Sequence, residues 1–325
     1  MNKFILLLAL VAISSAAFTD KEAFSEFLKF QEKYNKKYSS LKEYMARFEI
    51  FKRNLNKLSN TNAKSYTIGV TQFFDMTTQE FRKKYLNLNM DVVKTIKFKK
   101  VNAPKTNDAP EEWNWIEQKA VGPVKNQGSC GSCWAFSTVE NVEGMFYMKY
   151  KEQVILSEQE LVDCDTNDGG CDGGLMENAF TWLMDNGGLV SEEDYPYTAT
   201  VGTCKYDKSK IVAKVDNYVL LDTDDEEAIK EYCYKTGPLA IALNADSLQW
   251  YWGGIIEADE YECDPQGLNH AVLLAGWGVE AGTPYWLVRN SWGKSWGEDG
   301  NFRIYRGKGT CGINTYVTSS EVSKP

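Results

Sequence analysis

The spacing of apolar positions in the first third of the chain predicts helices. From Glu22 to Leu58, aromatic and aliphatic residues recur mostly three or four positions apart, which is the period of one helix face. We therefore predict two amphipathic helices, followed by a short strand and turn over 66–75 (YTIGVTQFFD). Residues 87–112 contain two prolines and no clear period, so we expect an extended linker that is open to proteolysis.

The remaining two thirds change from a helical to a strand pattern. One helix is predicted to start at Ser132 or Cys133, and another at Ser157, where Ser157 and Glu160 have the spacing of a capping box. Beyond about Ile211 the strand signals dominate, in the segments GPLAIAL, HAVLLAGWG, TPYWLVRNS and GNFRIYR. A helical part followed by a sheet-rich part predicts an α+β fold with room for a cleft between the two.

Composition and the first residues indicate a globular chain that enters the secretory pathway. A chain of 325 residues that is 43% hydrophobic and 25% charged is globular and long enough for two compact units. Lys3, an apolar run to Ile13 and small residues ending at Ala17 predict a signal peptide over 1–17. The alternative, a membrane anchor, needs roughly 20 apolar residues, and this run is about half as long. No later segment is long enough to span a membrane either.

Charge divides the secreted chain at about residue 108. Residues 18–108 contain 19 Lys and Arg against 10 Asp and Glu, a net of +9, whereas residues 109–325 contain 16 against 35, a net of −19. A basic segment could bind nucleic acid, but attraction to the acidic body of the same chain is the nearer explanation. We see no basic groove with interleaved aromatic residues and no phosphate-binding glycine motif, so we expect no nucleic acid or nucleotide partner.

The eight cysteines all follow residue 129, and in an oxidising compartment disulfides are the default. Cys130 and Cys133 form a C-x-x-C with three interpretations: a redox pair, half of a zinc site, or two cysteines with separate roles. A redox motif would follow a strand in a short βαβ chain, and a zinc site needs two more ligands. Neither context is present, so we favour separate roles, with Cys133 at a helix N-terminus, where the helix dipole stabilises a thiolate.

A reactive thiolate needs a cationic partner, and the chain contains one histidine, His270. It opens the predicted strand HAVLLAGWG, and the next predicted strand ends at Asn290, which is followed by Trp292. An asparagine there can accept the imidazole N–H and fix the ring, and an indole can exclude water from that bond.

Three motifs, QGSCGSCWAFS, NHAV and NSWG, occur in the order found in papain-family cysteine endopeptidases of the cathepsin L and cathepsin F group, and the resemblance covers nearly all of the chain. It implies a helical domain and a β-barrel-like domain, with Cys133 and His270 facing each other across the cleft. It also implies that Gln127 completes the oxyanion hole, that Asn290 orients His270 and that Trp292 shields it. We expect no cofactor and no metal.

The same resemblance implies further roles for individual residues. The substrate site would comprise the S2 pocket, two neighbouring glycines and the shielding indole: Gly173, Gly174, Leu175, Met176, Ala242, Leu268, Ala271, Tyr316 and Trp292. The S2 residues are all apolar or aromatic, so P2 should be Leu, Val or Phe, and Tyr316 would shorten the pocket. Disulfides would join Cys130 to Cys171, Cys164 to Cys204 and Cys263 to Cys311. Cys233 has no implied partner; we expect a buried thiol, and an intermolecular bridge is the alternative.

The basic segment resembles the inhibitory propeptides of this family. One predicted helix carries the pattern residues Glu43, Arg47, Phe51, Asn54, Leu58 and Asn62, and a second pattern follows at Gly69, Thr71, Phe73 and Asp75. Leu58 and Thr71 replace the usual isoleucine and asparagine. We therefore expect an inhibitory propeptide over 18–108, which crosses the cleft in reverse, and a peptidase domain over 109–325 that begins near Ala109. Asn114 and Ile116 stand where the family has Asp and Arg, which should remove one ion pair without loss of chemistry.

These observations predict an endopeptidase made as an inactive precursor and activated at acidic pH. Two other classes remain: an inactive papain-like binding protein and a secreted thiol oxidoreductase. The expected partners are protein and peptide substrates, the chain's own propeptide and cystatin-like inhibitors, and we expect a monomer. The expected location is the secretory pathway, ending in a lysosome or other acidic vacuole or outside the cell.

Overall fold

The computed structural model describes residues 18–59, 65–90, 100–103, 106–257 and 263–325. The predicted signal peptide and the pattern residue Asn62 lie outside the described residues. The chain divides into two compact units, one of Met1–Ala63 with Gln72–Thr77 and one of Lys64–Thr71 with Thr78–Pro325. No helix within the described ranges is long and apolar enough to cross a membrane.

The first unit contains the two helices that the N-terminal periodicity predicts, α1 (Asp20–Lys33) and α2 (Leu41–Ser59). Their apolar faces meet through aromatic rings, with the Phe27 and Phe51 centroids 5.3 Å apart. Two pattern residues of α2 hold the segment 72–77. Arg47 donates to the Asp75 carbonyl at 3.0 Å, and Asn54 Nδ2 donates to two further carbonyls of that segment at 2.9 Å. Both side chains therefore shape the turn after the second helix.

The second unit begins with β1 (Tyr66–Ile68), α3 (Thr78–Tyr85), β2 (Lys100–Val101) and β3 (Trp113–Asn114). Its α-helices after α3 are α4 (Cys133–Tyr150), α5 (Glu158–Cys164), α6 (Met176–Asn186) and α7 (Glu226–Thr236). Its other strands are β4 (Leu189–Val190), β5 (Ile211–Leu221), β6 (Leu239–Leu243), β7 (Tyr251–Ile256), β8 (His270–Glu280), β9 (Thr283–Arg289), β10 (Asn301–Tyr305) and β11 (Val317–Ser323).

In the described residues, the strands form one sheet in the order β1-β7-β10-β9-β8-β6-β11-β5-β2, with β3 beside β8 and β4 beside β5. The pairs β7 with β10 and β2 with β5 are parallel, and the remaining pairs are antiparallel. Helix α4 packs against β8, β11 and α6. Because α4 is buried along most of its length, including its polar residues Glu140, Asn141 and Glu143, it forms the centre of the core.

Two local predictions are corrected. The capping box at α5 is half formed: Ser157 Oγ accepts from the Glu160 N–H at 3.0 Å, but the Glu160 carboxylate accepts from the Val190 N–H at 2.8 Å instead of closing the box. The described residues of the expected linker 87–112 are not free of the peptidase part of the chain. They pair with the body of the unit, since β2 adds to β5 and Leu88 forms a parallel bridge with Gly174.

Candidate active site

Cys133 is the first residue of α4, so its sulfur lies where the first turn leaves backbone amides without helical partners. Cys130 is bonded to Cys171, which ties the preceding loop to the segment before α6, and Cys133 is a free thiol. The backbone N–H of Ala271, the residue after His270, donates a hydrogen bond to the Cys133 sulfur. The start of α4 and the start of β8 therefore meet at this thiol.

His270 opens β8 and is wholly buried. Its Nε2 lies 2.9 Å from Asn290 Oδ1, and its ring stacks on Trp292 with the centroids 4.8 Å apart. The same Asn290 oxygen accepts from the Ser291 N–H at 2.8 Å, which fixes the amide with its oxygen toward the histidine. As acceptor, Asn290 makes Nε2 carry a proton, so Nδ1 is the nitrogen available for chemistry.

Gln127 is oriented by two donors. Its Oε1 accepts from Ser291 Oγ at 2.7 Å and from Trp292 Nε1 at 3.1 Å, so Nε2 points away from both. This Nε2 donates to the Cys130 carbonyl at 3.0 Å and approaches the Tyr85 carbonyl at 3.5 Å. The NSWG segment thus holds the amide oxygen, and the amide nitrogen faces the Cys130 carbonyl in the loop before α4.

Burial keeps the thiol and the imidazole neutral here. It raises the pKa of Cys133 to about 11, although the amides of Ala271 and Asn87 partly oppose that shift. It also lowers the pKa of His270 to about 4, although the hydrogen bond that the ring donates to Asn290 and a backbone hydrogen bond with Tyr85 oppose that shift. Both groups are therefore uncharged near neutral pH when residues 85–87 are in place.

The segment that follows α3 covers this site. Phe81 and Tyr85 of α3 pack edge-to-face on Trp292, with centroids 5.3 and 6.3 Å away. Leu88 N–H donates to the Asn269 carbonyl at 3.1 Å, and Asn89 N–H donates to the Gly174 carbonyl at 2.9 Å. The segment is therefore bound on both sides of Cys133 by main-chain hydrogen bonds.

Gly173 and Gly174 form the floor for that segment. Gly174 N–H donates to the Asn87 carbonyl at 3.3 Å. Gly173 has φ +117°, and a Cβ there would lie 2.4 Å from the Asn87 carbonyl oxygen. Only glycine allows another backbone to approach this closely, so the site is shaped for an extended peptide.

The predicted S2 residues all belong to, or pack against, the large apolar core of the second unit, which also includes much of α4 and α6. Leu88 belongs to it and Met90 packs against it. Five of the predicted residues are buried in this core and Leu268 packs against it: Leu175, Met176, Ala242, Ala271 and Tyr316. The covering segment therefore adds Leu88 to the same buried core that contains these residues.

Sequence reasoning missed Glu177, which is wholly buried in the first turn of α6, beside this core. Burial raises its pKa to about 7, and the nearby Tyr316 hydroxyl partly opposes the shift. An acidic residue in a first helical turn is ordinarily a surface residue that favours the helix dipole. Nothing in the sequence signals that this one faces inward.

Three disulfides join Cys130 to Cys171, Cys164 to Cys204 and Cys263 to Cys311, the pairs that the resemblance implies. Cys233 is a buried free thiol on α7. Burial raises its pKa to about 12, against a hydrogen bond with Trp115. Among the described residues, no cluster of His, Cys, Asp and Glu could hold a metal ion.

Comparison with known proteins finds matches over most of the chain. Residues 109–321 match the papain family cysteine protease model, and residues 27–81 match the cathepsin propeptide inhibitor domain (I29). The chain belongs to the papain family of cysteine proteases. This family chain carries its inhibitory propeptide domain and is therefore a cysteine peptidase in its zymogen form.

Relatives and solved structures extend along nearly the whole chain. "Cysteine proteinase 15A" of Pisum sativum is 42% identical over 90% of this chain and 85% of its own length. "Cysteine proteinase 1" of Dictyostelium discoideum is 41% identical over 98% of both chains. The digestive procathepsin L2 proteinase from Tenebrio molitor larval midgut superposes with a TM-score of 0.84 at 35% identity, over 92% of this chain and 99% of its own.

Proposed function

We propose that the mature chain hydrolyses internal peptide bonds, with Cys133 as nucleophile and His270 as general base and acid. The observation that supports this most directly is the convergence at one point of the α4 N-terminus, the start of β8 and the His270–Asn290 bond of 2.9 Å. Charged forms of both groups become favourable when water replaces the covering segment, because the burial that opposes them is removed.

The mechanism assigns one task to each group. The Cys133 thiolate attacks the scissile carbonyl carbon, and Gln127 Nε2 with the Cys133 N–H stabilises the oxyanion. His270 then protonates the leaving amine, which leaves an acyl-enzyme thioester. The imidazole next takes a proton from water, whose oxygen attacks the thioester and releases the acid. Asn290 keeps the ring in one orientation through both steps.

The precursor offers the wrong group to the nucleophile. At Cys133 the covering segment presents the Asn87 backbone N–H. A nucleophilic sulfur needs an electrophilic carbonyl carbon, so an N–H at that place supports inhibition without cleavage. The parallel direction of the Leu88 bridge with Gly174 also fits the reversed course that the family resemblance implies.

Specificity should follow the apolar S2 cluster. A guanidinium at P2 would lose its hydration among Leu175, Met176 and Ala242, so Leu, Val or Phe at P2 should be preferred. We also propose endopeptidase action, because the single histidine of the chain is already assigned and none remains to bind a substrate's C-terminus. A peptide panel tests both proposals: cleavage of substrates with arginine at P2 as efficient as that of substrates with leucine at P2, or efficient release of C-terminal dipeptides, would contradict them.

We also propose a compartment, binding partners and an oligomeric state for the enzyme. A signal peptide over 1–17 and a propeptide over 18–108 fit entry into the secretory pathway, followed by activation in a lysosome or other acidic compartment or outside the cell. Protein substrates and cystatin-like inhibitors would bind in the same cleft, and we propose a monomer. Immunolocalisation together with gel filtration of the mature enzyme tests the compartment and the oligomeric state.

The test of the reaction itself uses three variants of the precursor, each matured by added wild-type enzyme and repurified. Cys133→Ala and His270→Ala should retain the fold and lose peptide hydrolysis. Cys233→Ala, which removes the other free thiol, should retain it. Substantial turnover by either of the first two would exclude the mechanism. If the matured chain with Cys133 unchanged binds peptides but does not hydrolyse them, the alternative, an inactive papain-like binding protein, would be supported.

A further inference from the structure

The junction between the propeptide and the peptidase domain is held by one carboxylate. Glu231 lies on α7 and is 3% exposed. Its Oε1 accepts from the Ala109 backbone N–H at 2.9 Å, and its Oε2 accepts from the Asp108 N–H at 3.0 Å and from Thr106 Oγ1 at 2.7 Å. Partial burial opposes the charge, but these three bonds outweigh it and lower the pKa of Glu231. The carboxylate is thus ionised and faces the chain where the two parts join.

The two sides of the junction are anchored differently. On the later side, the Pro110 carbonyl accepts from Trp277 Nε1 at 3.0 Å, and β3 pairs with β8 from Trp113. On the earlier side, the exposed Lys235 side chain contacts Asp108 at 3.0 Å and donates to Thr106 at 2.8 Å. A cut at the junction would therefore leave the later side in place, while residues 106–108 on the earlier side would depend on their bonds to Glu231 and on the exposed contacts with Lys235.

We propose that Glu231 is the binding site for the amino terminus of the mature chain, formed by hydrolysis between Asp108 and Ala109. In that step the bond from the Asp108 carbonyl carbon to the Ala109 nitrogen breaks. Water supplies a hydroxyl to the carbon and a proton to the nitrogen, and the new acid gives its proton to the amine. This inference rests on the maturation proposed above, and it names where the new end is held.

The Glu231 carboxylate would attract the new amino terminus at Ala109 and repel the new carboxyl terminus at Asp108. The Ala109 nitrogen already lies 2.9 Å from Glu231 Oε1, so it becomes an ammonium in a charge-assisted bond without moving. The new carboxylate of Asp108 would instead lie beside the Asp108 side chain and Glu231, two like charges at short range. Glu231 would therefore gain a charge-assisted bond to the mature chain end, whereas its bonds from Thr106 and Asp108 would be weakened by the new carboxylate, which Lys235 only partly neutralises.

The test obtains the mature chain in two ways. In one, the mature enzyme is isolated from its native source and its N-terminus is sequenced, because the Asp108–Ala109 bond has Asn107 at P2 and is not expected to be cut by the enzyme itself. In the other, a recognition sequence for an unrelated site-specific endopeptidase replaces residues 105–108 of the full chain, so that cutting leaves Ala109 first whether or not the protein is active. The pH dependence of acylation of the Ala109 amine, followed by mass spectrometry, gives the pKa of that amine.

In the wild type this pKa should lie about one unit or more above the ordinary α-amino value near 8. Glu231→Gln keeps the shape of the side chain but removes its charge, so the pKa of the Ala109 amine should return to the ordinary α-amino value. Glu321→Gln, which removes an exposed carboxylate from β11, should leave it raised. A natural N-terminus other than Ala109, or a wild-type pKa near 8, would overturn the proposal. A precursor that never hydrolyses peptides counts against the proposed function alone, because the engineered cut still decides the binding site.

Discussion

At the scale of single residues, the environment of a side chain matters as much as its identity. Gln127 shows this, because its amide oxygen is occupied by Ser291 and Trp292 and only its nitrogen remains for the oxyanion. We expect Gln127→Glu to preserve these accepting contacts while replacing the donor by an oxygen. kcat should fall by about 100-fold or more, the usual cost of losing one oxyanion donor, with a smaller change in KM.

The control for this prediction is Asn126→Asp, which adds the same charge at the neighbouring, exposed position. It should leave kcat within a few-fold of the wild type. Equal losses in both variants would mean that local charge, and not the donor, determines the effect.

At the scale of elements, α3 joins the propeptide to the catalytic residues. Phe81 is wholly buried and packs on Trp292, which in turn stacks on His270. Phe81→Ala should weaken inhibition of the mature enzyme by a separately made 18–108 fragment by at least about tenfold, because removing a buried phenylalanine costs well over 1.4 kcal/mol. The inhibition constant in a peptide-hydrolysis assay measures this.

Lys83→Ala on the exposed side of α3 is the matched control, and it should change the inhibition constant little. If both variants inhibit as well as the unchanged fragment, the aromatic contact does not hold the propeptide.

Local elements were predictable where one chemical signal repeats or is rare. The periods of α1 and α2 and the single histidine are such signals. Contacts between distant parts of the chain were not. Glu231 meets Ala109 across a separation of 122 residues, and Glu160 bonds to Val190 instead of to its own helix. A helix-surface acid and a buried acid look alike in a sequence, because burial depends on what the rest of the chain places over them.

At the scale of the whole molecule, buried carboxylates predict acid tolerance. Burial raises the pKa of Glu160 to about 8, against a bond from the Val190 N–H, and that of Glu177 to about 7. A folded pKa above the unfolded value near 4.5 means that this stability is complete below about pH 4.5 and is lost as pH rises through 7 to 8. The mature enzyme, blocked by a thiol inhibitor, should have a higher Tm at pH 5 than at pH 8.

Glu160→Gln together with Glu177→Gln mimics the protonated state and should reduce that difference in Tm, whereas Glu111→Gln at an exposed position should not. An unchanged difference in the double variant would assign the pH dependence to other groups.

Charge should also control the propeptide. Within the second unit, the pairs Arg82–Asp246 and Lys100–Asp222 join the basic segment to the acidic body, and both have exposed members. Exposed pairs contribute at most about 1 kcal/mol each, and salt screens them. Acid protonates the carboxylates while Lys and Arg stay charged. Inhibition by the 18–108 fragment should therefore weaken as pH falls toward 4 and as salt rises. Inhibition indifferent to both would leave aromatic packing as the holding force.

The most direct test of the central claim is mass-spectrometric mapping of thiol alkylation in the precursor and in the mature enzyme. The account predicts rapid labelling of Cys133 after maturation, loss of that rapid labelling in His270→Ala at neutral pH, and slow labelling of Cys133 while residues 85–90 cover it. Cys233 should stay unlabelled in both forms, because it is buried and its pKa is raised to about 12. Equally fast labelling of Cys133 in the precursor, or labelling of the mature enzyme that does not depend on His270, would contradict the account.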